Sequence, residues 1–177
     1  MKPSNKIRRL ATVTLLLYML LLVWIITFKC NMRLTVLDAK IFNQRFTLGE
    51  RFVMQLSRFA KTDLQDGVVN ILFFIPLGML MPFVIKKHAC AKTMLFCFFI
   101  SAGFEVLQIL NCIGGFTYID IINNTVGGII GALLYLVLQK KAKERPVEII
   151  LKILIALLIP VLIVAAANTI LHIDYYL

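Results

Sequence analysis

The stretch 93–110, TMLFCFFISAGFEVLQIL, is a hydrophobic run that carries a single charge, Glu105, close to its end. A carboxylate at the centre of a bilayer costs about 2.5–3.5 kcal/mol on insertion scales. Lipid gives no reason to keep one there. The segment therefore reads as a membrane-spanning helix whose one charge faces a polar site shared with other helices. Whether the rest of the chain supplies such partners decides between a functional site and an accident.

Composition agrees with a membrane protein. The chain has 177 residues, is 60% hydrophobic and has a mean hydropathy of +0.90. Only 16% of its residues are charged, against roughly 25% in soluble domains. A chain this apolar cannot hide its side chains in a water-soluble core of its size, so a single integral membrane domain over residues 1–177 is expected. The net charge of +10 does not indicate nucleic acid. Its basic residues form short clusters beside apolar runs, as membrane anchors do. Cys30, Cys90, Cys97 and Cys112 form no CxxC pair, and His88 and His172 lie far apart. No metal site and no cofactor is expected, and the cysteines read as small apolar residues.

Working outward from Glu105, five segments are close to the roughly 20 residues a spanning helix needs. They are Leu10–Phe28, Gly67–Ile85, Thr93–Leu110, Ile119–Leu138 and Ile153–Leu171. The fold expected is an all-α, polytopic helix bundle. Lys2, Lys6, Arg8 and Arg9 precede the first span. Lys86, Lys87 and Lys92 lie between the second and third, and Lys140, Lys141, Lys143 and Arg145 between the fourth and fifth. The short connection 111–118 and the C-terminal tail carry no Lys or Arg. The positive-inside rule then places the N-terminus inside and the C-terminus outside.

The long connection 29–66 is the exception, being basic although it falls on the outer side. Its Phe42, Phe46, Phe52, Leu56 and Phe59 approximate a helical stripe, with Arg45, Arg51 and Arg58 elsewhere on the wheel. An amphipathic helix on the membrane surface explains it simply. A cap over an outer-face site is the alternative.

This topology puts several polar residues at one depth. Asn70 lies near the outer end of the second span, Glu105 and Gln108 near that of the third, and Asp120, Asn123 and Asn124 near that of the fourth. Ser101, Glu105, Gln108 and Cys112 share one helix face, as do Asp120, Asn124, Gly127 and Gly131. Gly127-xxx-Gly131 is the spacing that lets helix backbones approach closely. Pro76 removes a backbone donor and bends the second span, with Gly78 easing the bend.

These residues resemble the VanZ-like family of bacterial membrane proteins. The resemblance rests on Asn70 before Phe-Ile-Pro76-Leu-Gly78, on Glu105-Val-Leu-Gln108, and on Asp120-Ile-Ile-Asn-Asn124-Thr125-Val-Gly127-Gly128, with Gly131 beyond. It covers about residues 10–138, with its specific part in 66–138. The basic link and fifth helix, 139–177, lie outside it. The family often has Gly-Arg-Phe-Asp before the last motif, whereas this chain has Gly114-Gly115-Phe116-Thr117. The resemblance implies a cell-envelope role in a Gram-positive-type bacterium, and an association with teicoplanin (glycopeptide) resistance.

The expectation is an outer-leaflet polar pocket in which Asn70, Glu105, Gln108, Asp120 and Asn124 bind a membrane lipid or cell-wall precursor. Pro76, Gly78, Gly127, Gly128 and Gly131 shape the helices around it. One rival is an intramembrane hydrolase or transferase using Glu105 and Asp120 as acid and base, although no nucleophile accompanies them. Others are a small transporter or flippase, and a scaffold whose polar groups only tie helices together.

Overall fold

The computed structural model describes residues 3–28, 49–50, 64–85, 88–111, 117–141 and 143–173. These form five long helices, α1 (Asn5–Phe28), α2 (Leu64–Val84), α3 (Ala89–Asn111), α4 (Tyr118–Lys141) and α5 (Glu144–Ile173), with no strand among the described residues. Each contains a segment long and apolar enough to cross a membrane. The chain is a multi-pass membrane protein. The 24 residues of α1 rise about 36 Å at about 1.5 Å each, more than the roughly 30 Å of hydrocarbon.

Several helices start earlier than hydropathy predicts. α1 begins at Asn5 rather than Leu10, α3 at Ala89 rather than Thr93, and α5 at Glu144 rather than Ile153. Backbone hydrogen bonding continues through the polar turns at the membrane boundary, which a hydropathy reading discards. Ser4 caps α1 by accepting the Ile7 N–H at 3.4 Å, and Glu144 lies in the first turn of α5. His88 precedes α3 with a φ of 52°, a left-handed conformation that histidine tolerates better than most residues. The amphipathic stripe expected at Phe42–Phe59 lies outside the described residues apart from Gly49 and Glu50.

α2 and α4 form the most intimate pair, with α3 against both, while α5 packs chiefly on α1. α2 and α4 run parallel and in register. A methyl group on Gly127 would land on the Ile71 carbonyl oxygen, and one on Gly131 on the Ile75 carbonyl oxygen. One turn earlier in the same register, a methyl on Gly67 would stand 2.9 Å from Asn123 Nδ2. Gly78 reciprocates against the Gly128 carbonyl. Lipid tails are as apolar as Leu, so burying apolar surface between helices brings little energy inside a bilayer, and close packing has to supply it. The expected close approach through Gly127 and Gly131 is thus made against α2.

The core is completed by Ile7, Ala11, Leu15 and Leu22 of α1, Phe74, Leu77, Leu80 and Met81 of α2, and Cys97 and Phe104 of α3. Large apolar side chains such as Leu20, Phe99, Val137 and Val164 point outward, where lipid is their solvent. α1 is also tied to α2 through the Tyr18 hydroxyl, which donates to the Phe73 carbonyl at 2.6 Å. That carbonyl lies in the turn where Pro76 interrupts the α2 hydrogen-bond ladder.

Candidate functional site

α3 and α4 run antiparallel and meet in three successive contacts. Near their basic end, Cys97 Sγ packs against Gly128, where any side chain would collide with it. Further along, Asn124 Nδ2 donates to Ser101 Oγ at 2.8 Å in a fully buried hydrogen bond. At the far end, Glu105 Oε2 accepts the Thr117 backbone N–H at 2.8 Å. Cys97, Ser101 and Glu105 stand four residues apart, so one face of α3 supplies all three.

Glu105 is 3% exposed and Asn124 5%. Thr117 immediately precedes α4, and its carbonyl accepts the Asp120 N–H at 3.0 Å. The Glu105 carboxylate therefore sits at the N-terminus of α4. There the helix dipole and an unspent backbone N–H both favour negative charge, and a charge-assisted hydrogen bond is stronger than a neutral one. The bond to the Thr117 N–H is one means by which a carboxylate is held in this apolar segment.

Asp120 is in the first turn of α4, half-buried, three residues beyond the group that Glu105 binds. Asn70, in α2, is half-buried and its amide joins neither of the two bonds just described. It lies one turn from Phe74, whose ring meets Phe104, the neighbour of Glu105, edge-on at a centroid distance of 6.4 Å. The Gln108 side chain and Cys112 lie outside the described residues. Pro76 is within α2 as expected, and Gly78, Gly127, Gly128 and Gly131 all occupy close helix contacts.

The Asn124 amide is spent only on one side. Its Oδ1 is buried with no hydrogen-bond partner among the described residues. A buried amide oxygen without a donor costs about 1–3 kcal/mol, and such an atom in a native protein calls for a water, an ion or a ligand donor. No group of three or more acidic, His or Cys side chains arranged to hold a metal occurs among the described residues.

Sequence reasoning missed two partners, Ser101 as the acceptor for Asn124 and the Thr117 N–H for Glu105. The second had a signal. Thr117 followed three residues later by Asp120 is the pattern of a helix N-cap, and it marks where unpaired N–H groups lie. The first had only the shared face of Ser101 and Glu105, which does not say what stands opposite.

The VanZ/LLP1 family profile matches residues 15–139. Among characterised relatives, Protein VanZ of Enterococcus faecium is 28% identical over 151 residues, covering 85% of this chain and 88% of that protein. No solved structure matches. The matched region includes most of α1 and all of α2 and α3, and it stops before α5.

Proposed function

This chain belongs to the VanZ/LLP1 family, and from that membership and the buried Glu105–Asn124 cluster we propose that it binds an envelope lipid or cell-wall component and thereby alters glycopeptide (teicoplanin) susceptibility. Binding takes place where α2, α3 and α4 bring their polar residues to the end opposite the basic clusters. With the N-terminus inside, that end faces the outer leaflet. Glu105 and Asp120 supply charge, and Asn70, Gln108 and Asn124 orient the ligand through amide hydrogen bonds.

The observation that carries this reading is the Asn124 side chain. Its Nδ2 is held by Ser101 at 2.8 Å, which fixes the plane of the amide. Its buried Oδ1 has no donor among the described residues. An immobilised acceptor one turn from a buried carboxylate suits a ligand that brings hydroxyl or amine donors. A purely structural tie between α3 and α4 would need only the Nδ2 bond.

One observation favours that structural reading for Glu105 itself. Its bond to the Thr117 N–H anchors the start of α4, so part of the need for a carboxylate is architectural. The two readings separate by experiment. Bacteria producing Glu105→Gln, Asn124→Ala or wild-type protein at matched membrane levels are compared for teicoplanin susceptibility, and each purified protein is tested for thermal stability. Binding at the cluster predicts that Asn124→Ala abolishes the susceptibility change in protein that remains folded. A tie alone predicts that the phenotype survives in every variant that folds.

A further inference from the structure

α1 and α5 start side by side at the basic end of the bundle. The Ser4 N–H, just before α1, donates to Glu144 Oε1 at 3.0 Å. One turn further along α5, Glu148 Oε1 takes both the Lys6 ammonium, at 2.8 Å, and the Lys152 ammonium, at 2.7 Å. Two cations thus share one carboxylate oxygen, and the trio keeps one net positive charge. An ammonium carries three donors, and both lysine side chains are exposed. Arg9, three residues beyond Lys6, and Arg145, three before Glu148, are exposed as well. Around the mouth of this seam the four exposed cations outnumber Glu144 and Glu148 by two to one.

The surface beside the trio is apolar. Lys152 stands eight residues into α5, about 12 Å at 1.5 Å per residue, and its neighbours Ile149, Ile150 and Ile153 are half exposed or more. Its ammonium turns back one helical turn to Glu148, as long basic side chains do at a membrane boundary. Ala156, Ile159 and Ile163 follow Lys152 at i+4, i+7 and i+11, so they continue its face into the membrane, and all three are exposed. The seam therefore presents positive charge at the head of an apolar stripe. An anionic phospholipid has the complementary form, a phosphate that accepts charge-assisted hydrogen bonds above chains that need only apolar surface. A free anion would meet the charge and leave the stripe unused.

We propose that the mouth of the α1–α5 seam binds an anionic phospholipid, with its phosphate on the Lys6 and Lys152 ammonium groups and an acyl chain along Ala156, Ile159 and Ile163. Glu148 is then the internal competitor for the two lysines. This site is at the opposite end from the Glu105 cluster, and its test does not depend on any antibiotic phenotype.

The full-length protein is purified in an uncharged detergent. Its thermal midpoint is followed by circular dichroism while phosphatidylglycerol, phosphatidylcholine with the same acyl chains, or inorganic phosphate is titrated. Phosphatidylglycerol is expected to raise the midpoint, and the other two to do so far less. Lys6→Gln and Lys152→Gln should each raise the half-saturating phosphatidylglycerol concentration about fivefold, the effect of one basic residue at an anionic surface. Both change exposed side chains, so the fold is retained. Glu148→Gln should act in the opposite sense and lower that concentration a few-fold, because the lysines lose their competing partner. A role limited to clasping α1 to α5 gives no such gain. Lys92→Gln, an exposed charge at the start of α3 and outside the seam, should stay within about twofold, as a screened charge does. Equal responses to phosphatidylcholine and phosphatidylglycerol would overturn the proposal, as would a full response to inorganic phosphate alone or none to phosphatidylglycerol. Weaker phosphatidylglycerol binding by Glu148→Gln, or a loss in Lys92→Gln as large as in Lys152→Gln, would overturn it too.

Discussion

Asn124 and Ser101 join α4 to α3 through a buried hydrogen bond of 2.8 Å between Nδ2 and Oγ. One helical turn further along α3, Glu105 holds the N-terminus of α4. These two bonds and the contact of Cys97 with Gly128 set the register of an antiparallel helix pair, and each can be tested separately.

Removing the Ser101 hydroxyl should destabilise the protein modestly. Interhelical hydrogen bonds in membrane proteins average about 0.6 kcal/mol, with a maximum of about 1.7. A double-mutant cycle of Ser101→Ala and Asn124→Ala, read from unfolding in mixed micelles, should return a coupling energy in that range. A coupling of zero would mean the bond is not formed in solution.

Glycine substitutions should divide sharply by position. Gly131→Ala drives a methyl onto the Ile75 carbonyl and within 2.8 Å of the Met79 nitrogen. Forcing α2 and α4 apart should cost about 1–3 kcal/mol or more. Gly103, on the exposed side of α3, has nothing within 4 Å of a methyl group placed there. Gly103→Ala should be neutral or stabilise by up to about 1 kcal/mol, because Ala is the better helix former. Thermal midpoints of the two variants in one detergent decide the matter.

Replacing Glu105 by Gln retains an acceptor for the Thr117 N–H but removes its charge. The loss should be about 1 kcal/mol, the difference between a charge-assisted and a neutral bond. Glu105→Ala removes the acceptor as well and should cost more. Hydrogen exchange at the first turn of α4 should report the same order, with the Ala variant exchanging fastest.

The clasp between α1 and α5 should matter little. Lys6 and Lys152 are 66% and 58% exposed where they meet Glu148, and exposed ion pairs contribute little. Glu148→Gln should leave the thermal midpoint unchanged at moderate salt.

Orientation can be read by chemical labelling. A cysteine at Lys143 should resist a membrane-impermeant maleimide in intact cells, whereas one at Tyr118 should react. The reverse pattern would turn the bundle over and move the Glu105 cluster to the cytoplasmic leaflet.

Much of this protein was written in local sequence. The five apolar segments, the missing backbone donor at Pro76 and the small-residue spacing of Gly127 and Gly131 are properties of one helix at a time, because length and hydropathy alone decide whether a segment crosses a bilayer. Helix ends were less accessible, since the polar turns of α1 and α5 remain helical beyond the apolar core. Which surfaces meet was decided only by the fold. Nothing along the chain states that Gly127 and Gly131 face Ile71 and Ile75 in parallel register, that Asn124 reaches Ser101, or that Glu105 closes on the Thr117 N–H. A helix displays every face at regular intervals, and only packing against its neighbours selects the one that is buried.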